Sequence, residues 1–543
     1  MMRKPNEPIT APAPQPETGK HFNEDIYLRL NPDVRLAVTA GNFSSGREHF
    51  ERYGRAEGRP FLPAAMPRGR VSVSANPDKT REHVKPPACA IDSVKISASG
   101  AILLIGWVND AQDPLDCLEL YFAGWSVSLD SAALARVRRP DTEAALATGA
   151  THAYGLCGFL YAARRLQGSA CNALLRFTSG QEVNIMLVAE NIDDQEMRKA
   201  ALEYLATALH FGNAYFARVT AVATGIGAHL IDFNKLLSQR ALLAPYVERF
   251  GQNNRRYLGS FIVCLYGKSE YMFLQNALFS RQMGIEDYEF IYVCNSPETA
   301  EPLLKEARIC THIYGIDMTV ICLHANAGFG AANNIATQYA NSDRLIIMNP
   351  DVFPREPELI RKHSELVESL PANQAALFGA PLYYDDGSLM HAGMYFCADA
   401  VPNFSPGGTG HTQVLRVEHY GKGAPPDTMR FLQARPVPAV TGAFISAQKT
   451  WFEKLGGFSP DYIFGHYEDA DLCLRSLLAG QPAWLHDIKL WHLEGKGSSR
   501  QMQHEGGSAV NRWLFTQNWG EHITHGLLGP TPDHPGLTGA TGA

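Results

Sequence analysis

The stretch NAGFGAANNIATQYANSDRLIIMNPD, residues 326–351, decides the fold. It opens on a glycine-containing turn, Asn326–Gly330, and enters a segment that reads as a helix. RLIIMNPD follows as a short apolar strand and stops at Asn349, Pro350 and Asp351, three turn-forming residues. The segments before it have the same grammar. SFIVCLYGKSEYMFLQNALFSRQ (260–282) is a buried strand, a turn at Tyr266–Gly267 and a helix. DYEFIYVCNSPE (287–298) is a strand and a turn, and MTVICLHA (318–325) is the strand that feeds the glycine loop. Strand–helix alternation of this kind predicts an α/β domain with a mostly parallel sheet and helices on both faces. Ligands on such a sheet sit beyond the carboxyl ends of the strands, where these turns fall.

Three more segments follow in fixed order: VTGAFIS (440–446), GGFSPDYIFGHYEDADLCLR (456–475) and LWHLEGKGS (490–498). Asp351 ends a buried strand, where a free carboxylate is costly unless it is paired or metal-bound; a plain strand-end turn is the bland alternative. Glu468 and Asp469 fall at the start of a helix whose Ala470, Leu474, Leu477 and Leu478 face inward. A helix N-terminus favours the ionised carboxylate, although acidic first turns are common in any helix. His492 follows a strand and precedes a Gly/Ser loop; imidazole suits Mn²⁺ better than Mg²⁺.

Taken together, these pieces resemble the family 2 nucleotide-sugar glycosyltransferases of the inverting GT-A type, most closely their rhamnosyltransferase-like branch. The resemblance covers about residues 258–520. It implies a catalytic base at Asp469, with Glu468 orienting the site. It implies a divalent cation, Mn²⁺ or Mg²⁺, held by Asp351 and His492. Asn349 stands where the family's D-x-D motif has its first acid, so the cation is expected to arrive with the diphosphate. Donor contacts are expected from Leu265, Tyr266, Gly267, Asn326, Gly328, Gly330, Asn333, Asn349 and, in the Gly/Ser loop, Lys496 and Ser498. The second strand of the family normally ends in an acid; here that position falls on Cys294 or Asn295, with Glu298 as a substitute. Thr441, Gly442 and Ala443 match the donor–acceptor junction. Arg475 is expected to orient the site or the acceptor, and Gly456–Phe458 to shape its mouth. Residues 391–396 and a Pro/Gly loop at 402–426 read as an acceptor-side flap or a surface insertion.

The implied activity is transfer of a sugar from a nucleoside-diphosphate sugar to a hydroxyl of a glycan or lipid-linked glycan, in bacterial surface polysaccharide synthesis. Two rivals stand beside it. A nucleotidyltransferase would need a basic phosphate signature near the first strand, where GKSEYM offers only Lys268. A non-catalytic glycan-binding or scaffold protein with a decayed GT-A domain would tolerate Asn349 and Cys294–Asn295.

The remaining chain reads as accessory structure. At 543 residues it exceeds one ordinary core. A net charge of −7 argues against non-specific nucleic-acid binding. Ten cysteines without a CxxC pair read as reduced thiols, and the absence of an apolar leader or long apolar run predicts a cytoplasmic enzyme, compatible with peripheral membrane association. Residues 1–20 are expected to be disordered, 21–62 a small helical module that contacts protein or glycan, and 63–87 a linker. Residues 88–190 read as a β-sandwich-like domain in which Trp107, Tyr121 and Trp125 either fill the core or stack sugars. Residues 191–250 read as a helical connector, 251–520 as the GT-A domain and 521–543 as a disordered tail.

Overall fold

The computed structural model describes residues 24, 27–28, 32–39, 41–54, 70–72, 87–137, 139–146, 154–164, 166, 168, 170–207, 222–252, 255–369, 377–402, 411–495 and 501–524. The chain divides into two compact units, residues 1–68 and 69–543. The expectations for residues 1–20, most of 63–87, the tail beyond 524, and Lys496 and Ser498 fall outside the described residues.

In the first unit, helix Pro32–Thr39 packs near helix Gly46–His49, which continues into a π-type turn at Phe50–Gly54. The core is Tyr27, Val34 and Phe50, and the Tyr27 hydroxyl bonds His49 Nδ1 at 2.9 Å. Only glycine fits at 54, because a Cβ there would lie 2.0 Å from the Tyr27 hydroxyl.

The second unit begins with two five-stranded sheets. One runs Arg70–Ser72, Glu182–Val188, Ala170–Phe177, Leu115–Phe122, Trp125–Asp130; the other runs Glu190–Ile192, Cys89–Ser97, Ala101–Val108, Gly155–Tyr161, Ala135–Val137. Inward residues of both, among them Val94, Ile102, Leu104, Leu118, Leu120, Leu175 and Ile185, form one apolar core. Trp125 stacks on Phe122 at 3.9 Å beside this core, and Tyr121 is exposed. The outer face of the second sheet is also apolar. Leu103, Cys157 and Phe159 pack there against Leu202 and Leu205 of helix Asp194–Thr207 and Leu230, Phe233 and Leu237 of helix Gly227–Ala241.

The expected helical connector over 191–250 is not helical throughout. The helix stops at Ala241, Ala244 takes a left-handed φ of +46° before Pro245, and Tyr246–Phe250 becomes a strand. Proline cannot extend the helix, and β-branched Val247 and Phe250 suit the edge of a sheet.

That strand is the first of nine in the main sheet: Tyr246–Phe250, Asp317–Cys322, Tyr288–Cys294, Gly259–Leu265, Arg344–Met348, Phe444–Gln448, Leu377–Gly379, Ala483–Leu485, Arg435–Val437. The four strands from Asp317–Cys322 to Arg344–Met348 are mutually parallel, as their crossover helices require. The expectation of a mostly parallel sheet needs correction. Four of the eight neighbouring pairs are antiparallel, including Arg344–Met348 with Phe444–Gln448. An apolar run fixes that a segment is a buried strand, not the direction in which it enters. Helices do cover both faces. Ile262, Cys264, Ile291 and Ile347 meet helices Phe329–Thr337 and Glu468–Leu478, while Phe261, Val263, Phe290 and Val320 meet helices Glu270–Phe279 and Ala300–Tyr314.

A second sheet of four short strands, Val352–Pro354, Leu490–His492, Leu382–Tyr383 and Leu389–His391, sits at the end of the parallel strands. Part of the segment expected as a Pro/Gly loop over 402–426 is a strand, His411–His419, which pairs antiparallel with Met394–Pro402; residues 403–410 fall outside the described residues. Helix Met502–Thr524 holds it: buried Arg512 donates to Leu415 O at 2.6 Å and to Asp399 Oδ2 at 2.5 Å, and Thr516 accepts from Leu415 N at 2.9 Å.

Candidate active site

The carboxyl ends of the parallel strands open into a cleft of about 420 Å³. That volume lies within the usual range for small-ligand sites. Asp351 reaches it because the chain turns at Asn349–Asp351, with Val352 N donating to Asn349 O at 3.3 Å, and at once joins the small sheet. There Val352 pairs with His492, which sets the imidazole beside the carboxylate. His492 Nε2 lies 3.4 Å from Asp351 Oδ1 and 3.5 Å from Asn349 Nδ2. Both residues are buried, with Asp351 2% exposed and His492 5%. The cis ligands of an octahedral cation at about 2.1 Å are about 3 Å apart, so this pair fits one face of Mn²⁺ or Mg²⁺. Among the described residues no group of three or more His, Cys, Asp or Glu converges on a metal position, so the remaining ligands would come from phosphate and water.

Asp469 faces them from the start of helix Glu468–Leu478. Its Oδ2 accepts from Gly442 N at 2.8 Å and its Oδ1 from Ala470 N at 2.7 Å. A Cβ on Gly442 would press the Phe329 ring at 3.2 Å while meeting the Asp469 Cβ at an ordinary 3.5 Å. Neighbouring Glu468 behaves differently. It is buried, its Oε2 has no hydrogen-bond partner among the described residues, and burial, reinforced by the charge of Asp469, pushes its pKa well above the usual carboxylate range.

The loop before this helix is strained. Phe464, His466 and Tyr467 have φ of +62°, +79° and +76°, values costly for side chains of this size. Asn511, fully buried on helix Met502–Thr524, holds it. Its Oδ1 accepts from Ile463 N at 2.7 Å, and its Nδ2 faces the carbonyls of Ile463, Gly465 and His466 at 2.9, 2.6 and 3.2 Å. The glycine loop locks onto the same turn: Phe329 N donates to Phe464 O at 2.5 Å, and a Cβ on Gly328 would meet the Phe464 backbone at 3.3 Å.

The structure brings together in this cleft Tyr266, Asn295, Asn326, Asn349, Asp351, Thr441, Gly442, Ala443, Glu468, Asp469 and His492. Of the two candidates after the second strand it chooses Asn295. Asn295 bonds Asn326 Oδ1 at 3.0 Å and Ala327 N at 2.8 Å, whereas Cys294 is buried in the core and Glu298 is exposed and does not line the cleft. Leu265, Gly267, Gly328, Gly330 and Asn333 do not line the cleft; their contacts lie in the framework beside it. Gly267 N, for example, donates to Ser296 Oγ at 2.8 Å, and Asn333 caps Phe329 O at 2.9 Å. Arg475 is also elsewhere. It pairs with Asp471 at 2.8 Å and donates to Leu455 O and, at 2.8 Å, to Gly457 O, so it ties the Gly456–Phe458 turn to the helix. That turn is likewise absent from the cleft, with Phe458 buried in the core.

Sequence reasoning passed over His419, Glu494, His504 and Ser508, which also line the cleft, and Asn511 behind it. It also passed over Arg198. This side chain from helix Asp194–Thr207 donates to Asn234 Oδ1 at 2.7 Å and to Asn326 O at 3.3 Å, and lies 4.6 Å over the Phe464 ring. Burial lowers its pKa to about 10, so it keeps its charge at neutral pH, and among the described residues no carboxylate pairs with it. A lone Arg on an amphipathic helix gives no sequence signal of such a role.

No family model matches the chain. Over 242 residues, 42% of this chain and 80% of the relative, the sequence is 27% identical to rhamnosyltransferase WbbL of Escherichia coli (strain K12). Over 168 residues, 31% of this chain, it is 28% identical to the uncharacterized protein y4gI of Sinorhizobium fredii, of which it spans only 17%. Among solved structures, mannosyltransferase PcManGT from Pyrobaculum calidifontis in complex with GDP-Man and Mn²⁺ aligns at TM-score 0.31 and 14% identity, over 61% of this chain and 88% of that one. GalNAc-T7 with UDP, GalNAc and Mn²⁺ aligns at TM-score 0.31 and 13% identity, over 45% and 44%. At such scores the structural matches add no weight of their own. The parallel run, the NPD turn and the acidic helix start on one cleft have the arrangement of a GT-A glycosyltransferase fold. Within that class, a segment of the chain is a distant homologue of rhamnosyltransferase WbbL.

Proposed function

We propose that this unit is a metal-dependent inverting glycosyltransferase. It would move a sugar from a nucleoside-diphosphate sugar to a hydroxyl of a glycan or lipid-linked glycan. One observation carries the reading: Asp351 and His492, 3.4 Å apart, and Asp469 share one 420 Å³ cleft. Asp469 accepts the proton of the acceptor hydroxyl. The freed oxygen forms a bond to the anomeric carbon from the face opposite the diphosphate, and the diphosphate leaves with the electron pair of the broken C–O bond. A cation held by Asp351 and His492 would supply Lewis-acid stabilisation of the leaving charge. Tyr266, Asn295 and Asn326 line the donor end, and the buried Arg198 guanidinium behind Asn326 makes the potential there favourable to a diphosphate.

The test is a thermal-shift panel of UDP, dTDP and GDP, each with and without Mn²⁺. Wild type is expected to gain stability with one nucleotide, by about 2.7 kcal/mol at about 100 times its Kd, only when Mn²⁺ is present. Asp351→Asn should lose that gain. Asp469→Asn should keep it while turnover falls by about 10²–10⁴. No shift with any nucleotide would favour a glycan-binding scaffold instead.

A further inference from the structure

A histidine pair beside Asp469 is not explained by the transfer chemistry above. His391 ends the Leu389–His391 strand and is fully buried. His419 ends the hairpin strand His411–His419 and lines the cleft. Their rings meet edge to face with centroids 4.8 Å apart, and the two Nδ1 atoms are 3.0 Å apart.

The protons of this pair are fixed by geometry. Gly393 N lies 3.2 Å from His391 Nε2, and a backbone amide can only donate, so Nε2 is an acceptor without a proton. A neutral His391 therefore carries its proton on Nδ1 and donates it to His419 Nδ1. That leaves His419 Nδ1 bare and places the His419 proton on Nε2, at the opposite edge of the ring. Among the described residues no hydrogen bond is recorded for that Nε2. Burial holds both imidazoles below the ordinary histidine range, consistent with a neutral pair.

We infer that His419 Nε2–H is a fixed hydrogen-bond donor to an oxygen of the acceptor sugar, and that His391 is the positioning residue that sets its tautomer. The inference rests on the proposed transfer reaction and assigns the acceptor side of the same cleft. Asp469 and His419 line the same cleft, and Asp469 is the strongest charge acting on His419, so the two residues face one acceptor with opposite functions. One receives a proton; the other can only give a hydrogen bond. A neutral donor next to a base is useful because it orients the sugar without competing for the hydroxyl proton. The hairpin that carries His419 is clamped by Arg512 and Thr516, which keeps the donor in place before the acceptor arrives.

Two measurements decide it. In the full-length protein labelled with ¹⁵N-histidine, long-range ¹H–¹⁵N correlations should show His391 protonated on Nδ1 and His419 on Nε2. Adding octyl glycosides of glucose, galactose, N-acetylglucosamine and rhamnose should move the His419 Nε2–H signal for at least one of them. A His419 proton on Nδ1, or a signal that none of these glycosides moves, overturns the inference. In transfer assays with the active glycoside, His419→Phe should raise the acceptor KM about tenfold, equivalent to about 1.4 kcal/mol, with kcat changed much less. His419→Gln, which retains an N–H donor, should recover most of that loss. An unchanged acceptor KM in His419→Phe also overturns it. Failure of wild type to bind any nucleotide would instead refute the transferase reading, and the tautomer result would still stand or fall by itself.

Discussion

Two adjacent acids at 468 and 469 have opposite environments, although nothing in the sequence distinguishes them. Asp469 is partly exposed and accepts two backbone N–H groups; Glu468 is buried and one of its oxygens has no partner among the described residues. Unfolded, Glu468 ionises near about pH 4.3. Folded, it holds its proton well above that, so between the two values the native state binds one proton more and stability falls as pH rises. Glu468→Gln replaces the acid with a neutral group of the same shape. Its Tm should therefore rise relative to wild type on going from about pH 5 to about pH 8, measured by scanning fluorimetry. The same pH dependence in both proteins would mean that Glu468 is ionised in the native state.

At the scale of elements, the decisive contact joins the C-terminal helix to the 463–467 turn. Three left-handed non-glycine residues in so short a stretch persist only if something outside the stretch holds them. Asn511 accepts one hydrogen bond from it and directs its two amide protons at three of its carbonyls. Asn511→Ala leaves those carbonyls and the Ile463 amide without their buried partner, a cost of about 1–3 kcal/mol. Because Glu468 and Asp469 directly follow the turn, kcat should fall at least tenfold while the unfolding transition remains cooperative. An Asn511→Ala enzyme with wild-type kcat would show that the turn needs no clamp. The positions of Asp351 and His492 were legible because each ends a short apolar strand, and that of Asp469, at a helix start, through the family resemblance. Asn511 was not, because a polar residue within a 23-residue helix looks the same whether it faces water or a strained loop.

At the scale of the molecule, the two N-terminal sheets are not a detachable module. Leu103 and Phe159 on their outer face share a cluster with Leu202, Leu230, Phe233, Ile463 and Phe464, the last two belonging to the active-site turn. Removing residues 69–193 would expose that cluster, so the remainder should aggregate or melt without cooperativity. Removing residues 1–68, a compact unit by itself, should leave the nucleotide-dependent thermal shift unchanged. Calorimetry of the two truncations separates these outcomes. A stable, nucleotide-binding 194–543 fragment would show that the sheets are accessory. None of the ten cysteines is in a disulfide, so cohesion here rests on packing. Among the described residues no helix is long and apolar enough to cross a membrane.

The sequence by itself determined the buried strands and the glycine loop, because period, turn chemistry and strand length are local properties; the three side chains on the cleft came from the family resemblance. The sequence misjudged strand direction after residue 351 and the Tyr246–Phe250 edge strand, and it did not show that Arg475 lies outside the cleft, because each depends on where distant segments lie. Only the tertiary structure decided that Asn295 rather than Cys294 faces the cleft, that Asn511 and Arg198 support it, and that His391 and His419 meet across 28 residues. The physical reason is the same in each case. A hydrogen bond or a buried charge takes its meaning from its partner, and these partners are brought together by packing, not by spacing along the chain.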